Sequence, residues 1–106
     1  MKSFFSISYL SKKITELFNY IDMNITVLSP DKELFAGEIT AVKVPGINGQ
    51  FEILNNHAAI VSSLGEGGVK ITKTGGEKLT FQIEKGFVEV LRNEVSLLVQ
   101  GISGLE

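Results

Sequence analysis

The pattern of apolar and polar positions changes its period once, close to residue 23. Beyond that point apolar and polar residues mostly alternate, which is typical of strands that bury one face. Segments rich in Gly, Pro, Asn and Asp separate the alternating runs and predict turns at residues 29–31, 45–49, 55–57, 65–68, 74–77, 84–86 and 92–94. The pattern therefore predicts about eight or nine short strands and an all-β antiparallel sandwich or small barrel over residues 23–106.

Two details refine this prediction. Ile39, Val42 and Val44 break strict alternation within the strand expected at residues 38–44, which indicates a β-bulge. No segment within the β region has the length or period of a crossover helix, so we do not expect a parallel sheet.

Residues 1–22 have a different character. Ile14, Leu17, Phe18 and Ile21 recur at helical spacing after Ser11, which can cap a short amphipathic helix over residues 11–21. A helix of that length is marginal in water, so we interpret this N-terminal extension as a tail with weak helical tendency. A docking helix, or upstream sequence outside the mature protein, are the alternatives. A secretory signal fits poorly because serines interrupt the short apolar part.

Composition excludes several classes of function. The 106 residues carry ten basic and twelve acidic side chains, a formal charge of −2, and so have no basic excess with which to bind nucleic acid. The chain has no cysteine and one histidine, which removes disulfides and thiolate sites and predicts no metal centre. We also expect no cofactor, because the glycine-rich residues 65–68 lack the lysine and hydroxyl of a phosphate-binding loop.

His57 is the one side chain whose ordinary pKa lies near neutrality. A hydrolase would need a nucleophile and an orienting carboxylate in a recognisable arrangement, and Ser62, Ser63 and Glu52 are merely near in sequence. We interpret His57 as a loop residue that hydrogen-bonds backbone or contacts a partner, and the chain as non-catalytic.

Four sequence blocks in order resemble one known family. They read VLSPDKELFAGEI from Val27, VPGINGQFEILNNHAAIV from Val44, GGVKI from Gly67 and GFVEVLRNEVSLL from Gly86. Together they resemble the N-terminal domain of the epsilon subunit of F-type ATP synthase, called delta in mitochondria, over Met23 to about Gly101. The resemblance implies a flattened β-sandwich in the central stalk, turning with the rotor and linking the gamma subunit to the c-ring while ion flow drives ATP synthesis.

The resemblance also implies site residues and a location. Gly46, Ile47, Asn48 and Gly49 match the family's loop toward the c-ring, and we expect them to contact it. Ser29, His57 and Ala58 match positions near the gamma subunit. The location implied is the cytoplasmic face of the bacterial inner membrane, where the subunit is peripheral and meets the membrane only through the complex.

The sequence departs from the family pattern after about Gly101. The family's C-terminal helical hairpin has no counterpart before Glu106, so we expect neither helix-based inhibition nor an ATP site in this chain. The alternative function is a stand-alone sandwich that binds a ligand or peptide, such as carbohydrate. That function predicts a row of exposed aromatic side chains, whereas most Phe and Tyr residues here lie in the extension or at inward strand positions.

Overall fold

The computed structural model describes residues 22–105. In this range the chain forms eight strands and no helix, and thus no helix able to cross a membrane. The strands are β1 (Met23–Leu28), β2 (Glu33–Gly46), β3 (Gly49–Leu54), β4 (Ile60–Leu64), β5 (Gly67–Lys73), β6 (Lys78–Ile83), β7 (Lys85–Leu91) and β8 (Glu94–Gln100). The all-β prediction is confirmed, and the helix predicted over residues 11–21 lies outside the described residues.

Strand β2 is the element that joins the whole fold. Its first half pairs with β1, from Glu33 opposite Leu28 to Ile39 opposite Met23. Its second half lies between β3 and β5. The β5 register shifts between Ile39 and Ala41, which confirms the predicted bulge and marks where β2 passes from one layer to the other.

The two halves of β2 belong to two sheets that face each other as a sandwich. The first sheet has the order β2-β1-β8-β7-β4, and the second has the order β3-β2-β5-β6. A single pairing of Gly46 with Leu64 links β4, at the edge of the first sheet, to the end of β2 in the second sheet.

One pair of strands is parallel, which corrects the expectation of a purely antiparallel sheet. Strands β1 and β8 run in the same direction, with Ile25 opposite Val95. Parallel neighbours need a long connection, and here almost the entire domain connects them. The absence of a local crossover helix therefore does not exclude a parallel pair of strands that lie far apart in the sequence.

Two turns are shorter than the sequence predicted. Gly67 and Gly68 begin β5, so only Gly65 and Glu66 separate it from β4. Lys85 and Gly86 begin β7, so Glu84 alone lies between β6 and β7. Glycine can pair in a strand as well as turn, and composition alone does not separate the two uses.

The core lies between the sheets and follows the alternation of the strands. Each fully buried Val, Leu, Ile or Phe contributes roughly 1.5–3 kcal/mol through the removal of apolar surface from water. The buried set is Met23, Ile25, Val27, Ile39, Val42, Val44, Ile53, Leu64, Val69, Ile71, Phe81, Ile83, Val88, Val90, Val95, Leu97 and Val99.

Candidate interaction surfaces

The turn between β2 and β3 projects from one end of the sandwich. Gly46 pairs with Gly49, so Ile47 and Asn48 form a two-residue turn. Ile47 lies at the tip of this turn and is 68% exposed. The four residues predicted to contact the c-ring therefore form one exposed, compact structure.

Backbone hydrogen bonds hold this turn against the end of β4. The Ile47 N–H donates to the Ser63 carbonyl at 3.3 Å, and the Gly65 N–H donates to the carbonyl of the buried Pro45 at 2.9 Å. A Cβ on Gly46 would lie 2.7 Å from the Gly49 carbonyl oxygen and 2.8 Å from the Phe51 ring. Glycine is required there by close packing, and the turn is rigid for the same reason.

The loop between β3 and β4 carries His57 and Ala58 at the opposite end of β3. The His57 N–H donates to the Leu54 carbonyl at 3.1 Å, and Nδ1 lies 2.8 Å from the Ala58 carbonyl oxygen. A carbonyl only accepts, so Nδ1 carries the proton. The His57 ring thus hydrogen-bonds backbone, which is one of the two alternatives predicted for it, and the contact with a partner stays a prediction.

Ser29 begins the turn that follows β1. Its N–H donates to the Lys32 carbonyl at 2.9 Å, and its hydroxyl accepts from the Lys32 N–H at 3.3 Å. These hydrogen bonds close a compact turn, and the Ser29 side chain stabilises it through the bond from the Lys32 N–H.

The strand register separates the three predicted gamma-contact residues into two groups. Ser29 follows the last residue of β1, whereas the loop of His57 and Ala58 lies beside Asn93, which bonds Asn24 at the start of β1. The five residue steps of extended strand from Asn24 to Ser29 span about 17 Å. The structure does not bring Ser29 together with the other two residues.

Between these groups the outer side of the first sheet carries several apolar side chains, interspersed with Thr26, Glu89 and Ser96. Leu28 on β1, Leu98 on β8 and Phe87 on β7 are direct neighbours, on the side of the first sheet that faces away from the core. Val61 and Leu91 extend the same surface toward Ala58. We call these five residues the apolar face. Beside Ser29 and Pro30 it forms a groove of about 360 Å³.

Sequence reasoning missed the apolar face, although a signal was present. Val61, Phe87, Leu91 and Leu98 each stand next to another apolar residue within an alternating strand. Two adjacent apolar residues in a strand point to opposite sides, so one of each pair must face outward.

Comparison with known proteins identifies the family. The sequence model of the ATP synthase delta/epsilon chain β-sandwich domain matches residues 22–103. The chain belongs to the ATP synthase delta/epsilon family. The ATP synthase epsilon chain of Leptospira borgpetersenii serovar Hardjo-bovis is 48% identical over 77 residues, which are 72% of this chain and 59% of that one. The epsilon chain of Chlorobium limicola is 37% identical over 79 residues, which are 74% of this chain and 90% of that one.

Solved structures share the fold of this delta/epsilon domain. A chain in the Euglena gracilis mitochondrial ATP synthase, in a structure of OSCP, F1 and c-ring, superposes with a TM-score of 0.72 at 21% identity. That match covers 78% of this chain and 53% of the other. A chain of the Tetrahymena thermophila mitochondrial ATP synthase central stalk and c-ring gives 0.64 at 23% identity, covering 76% and 65%.

Proposed function

We propose that this domain is a non-catalytic rotor subunit of an F-type ATP synthase, which links the gamma subunit to the c-ring and helps couple ion flow to ATP synthesis. The subunit is peripheral and works at the cytoplasmic face of a bacterial inner membrane. Membership of the delta/epsilon family supports this role. The observation that carries it is the apolar face, because its residues lie on the one sheet surface that extends between the two separated groups of predicted gamma-contact residues.

The apolar face is the docking surface for gamma. Ser29 lies at one end of it and Ala58 at the other, so one partner surface laid across the first sheet would contact both. Exposed apolar patches bordered by polar residues are typical of protein interfaces. Phe87 and Leu98 lie side by side within this patch and are its expected anchors.

Two leucines of similar exposure test this assignment. Leu98 on the apolar face is 46% exposed, and Leu54 on the outer side of the second sheet is 50% exposed. We expect Leu98→Ala to weaken binding to the cognate gamma subunit by about tenfold, because burial of a leucine contributes roughly 1.5 kcal/mol. Leu54→Ala should leave affinity unchanged. Binding of the full chain to gamma within the assembled catalytic head is measured by titration. Equal effects would place the docking surface elsewhere.

The turn of Gly46, Ile47, Asn48 and Gly49 is the contact with the c-ring. Its rigidity and exposure suit a small, shape-specific contact with polar ring loops. Because the chain has no cysteine, Ile47→Cys introduces a unique thiol. In the assembled enzyme it should form a disulfide with a cysteine placed in the c-ring loop. Thr74→Cys, at the far end of β5, is the control and should form no such disulfide. If the complex assembles but Ile47→Cys forms no disulfide with the ring, the proposed contact is wrong.

The two rival functions receive little support from the described residues. Among residues 22–105 the nucleophile candidate Ser62 bonds the Ser63 carbonyl, and the His57 ring bonds Ala58. Phe87 is the one exposed aromatic ring in the same range, which is not the row that carbohydrate binding predicts.

A further inference from the structure

Asn93 occupies an unusual position for a residue in a hairpin turn. With Arg92 it forms the two-residue turn between β7 and β8, and both residues have left-handed backbone angles, φ 49° and 63°. Turn residues are normally exposed, yet Asn93 is only 4% exposed and is the one buried polar side chain among residues 22–105. Hairpin geometry alone does not require this burial.

The contacts of Asn93 join three separate segments. Its side-chain Oδ1 accepts a 2.7 Å hydrogen bond from the Asn56 N–H, 37 residues away in sequence. Its backbone carbonyl accepts from the Asn24 N–H, at the start of β1, at 2.9 Å. One turn residue thus fastens the β3–β4 loop to the first sheet.

The β3–β4 loop depends on this connection for its conformation. Asn56 has a left-handed φ of 65°, which costs free energy for a residue with a side chain unless the surroundings hold it. His57 and Ala58 follow Asn56 directly. The backbone hydrogen bond next to Asn56 is the one that the His57 N–H donates to the Leu54 carbonyl. The Asn93 bond therefore fixes the residue from which both predicted contact side chains depart.

We propose that Asn93 is a positioning residue of the gamma-docking surface. Its Oδ1 holds Asn56 in the left-handed conformation and thereby places His57 and Ala58 at the edge of the apolar face. Asn93 itself is buried and acts through the loop without touching gamma. This inference rests on the proposed function, because it assigns the loop a role in gamma binding.

Three variants of the full chain separate the hydrogen bond from the turn. Asn93→Gly keeps the left-handed backbone and removes the acceptor. Arg92→Gly, at the neighbouring left-handed position with an exposed side chain, is the matched control for the turn. Asn93→Asp keeps an oxygen acceptor and tolerates this backbone conformation, although it loses the amide donor and buries a carboxylate, which has a cost of its own.

The first measurement is hydrogen exchange of the isolated chain, which does not depend on gamma. We expect Asn93→Gly to speed exchange of the Asn56 and His57 amides by about tenfold, because loss of a hydrogen bond to a buried group is costly. Exchange in the middle of β8 should stay unchanged. Arg92→Gly should leave the loop protected, and Asn93→Asp should protect it better than Asn93→Gly does. Equal exchange in Asn93→Gly and wild type, or equal acceleration by both glycine variants, would overturn the proposal.

The second measurement is affinity for gamma in the assembled catalytic head. Asn93→Gly should weaken binding by about tenfold, and Asn93→Asp should bind more tightly than Asn93→Gly because it keeps the acceptor. Wild-type chain that fails to bind gamma would refute the proposed function, while the exchange result would still stand. Wild-type binding that Asn93→Gly leaves unchanged would refute the positioning role alone.

Discussion

The outer sides of the two sheets differ in chemistry although their inner sides are alike. Strands of both sheets alternate, and both send fully buried residues such as Leu97 and Ile71 into one core. The outer side of the first sheet carries the apolar face together with polar residues such as Glu89 and Ser96. That of the second sheet carries mainly polar and charged residues, namely Lys43, Glu52, Lys70, Thr72, Lys78, Thr80 and Gln82, with Leu54 as its exposed leucine. Burial of the inner sides accounts for folding, and the outer difference fits the docking role proposed above for the apolar face.

Substitution of two neighbouring leucines on β8 tests whether the apolar face stabilises the fold itself. Leu97 is fully buried, whereas Leu98 points outward from the same strand. We expect Leu97→Ala to lower the free energy of unfolding by about 2–5 kcal/mol and Leu98→Ala by less than about 1 kcal/mol. Urea unfolding of both variants measures the difference. A cost for Leu98→Ala close to that of Leu97→Ala would mean that the outer leucine serves stability, and the contrast between the sheets would lose its functional meaning.

Charge reversal on the second sheet gives a smaller effect of the opposite sign. Lys43 and Lys70 lie directly opposite each other on β2 and β5, and like charges in that arrangement destabilise a sheet. We expect Lys70→Glu to stabilise the domain by about 0.2–1 kcal/mol, with the gain fading at high salt. Lys78 lies opposite Thr72, so Lys78→Glu is the control and should give no comparable gain. Thermal unfolding at low and high salt distinguishes them; a salt-independent gain would show a cause other than charge.

Local signals were sufficient to predict the strands and several turns. Alternation identified the inward residues of β5 and β6, and the Thr74–Glu77 hairpin follows from its paired glycines. Asn93 was predicted as a turn residue because Asn tolerates left-handed backbone. These features depend on residues close together in the chain, where sequence carries the physical cause directly.

Pairing between distant strands could not be predicted in the same way. Alternation with a period of two indicates which side of a strand is buried, but it does not indicate which other strand will pair with it. The parallel contact of β1 with β8, and the passage of β2 through both sheets, arise from the packing of the complete domain. The burial of Asn93 and its bond to Asn56 depend on the same packing. The apolar face was missed for this reason too, since its members come from four strands.

Strand β2 has a mechanical consequence. Its backbone pairs with β1, β3, β4 and β5, so a single covalent strand is shared between the layers. Sliding one layer past the other would require breaking hydrogen bonds on both sides of the bulge, and not simply shearing side chains against each other. A twisting force applied at the Ile47 turn would therefore be transmitted along the peptide chain of β2 into the first sheet. The domain should resist torsional deformation for this reason.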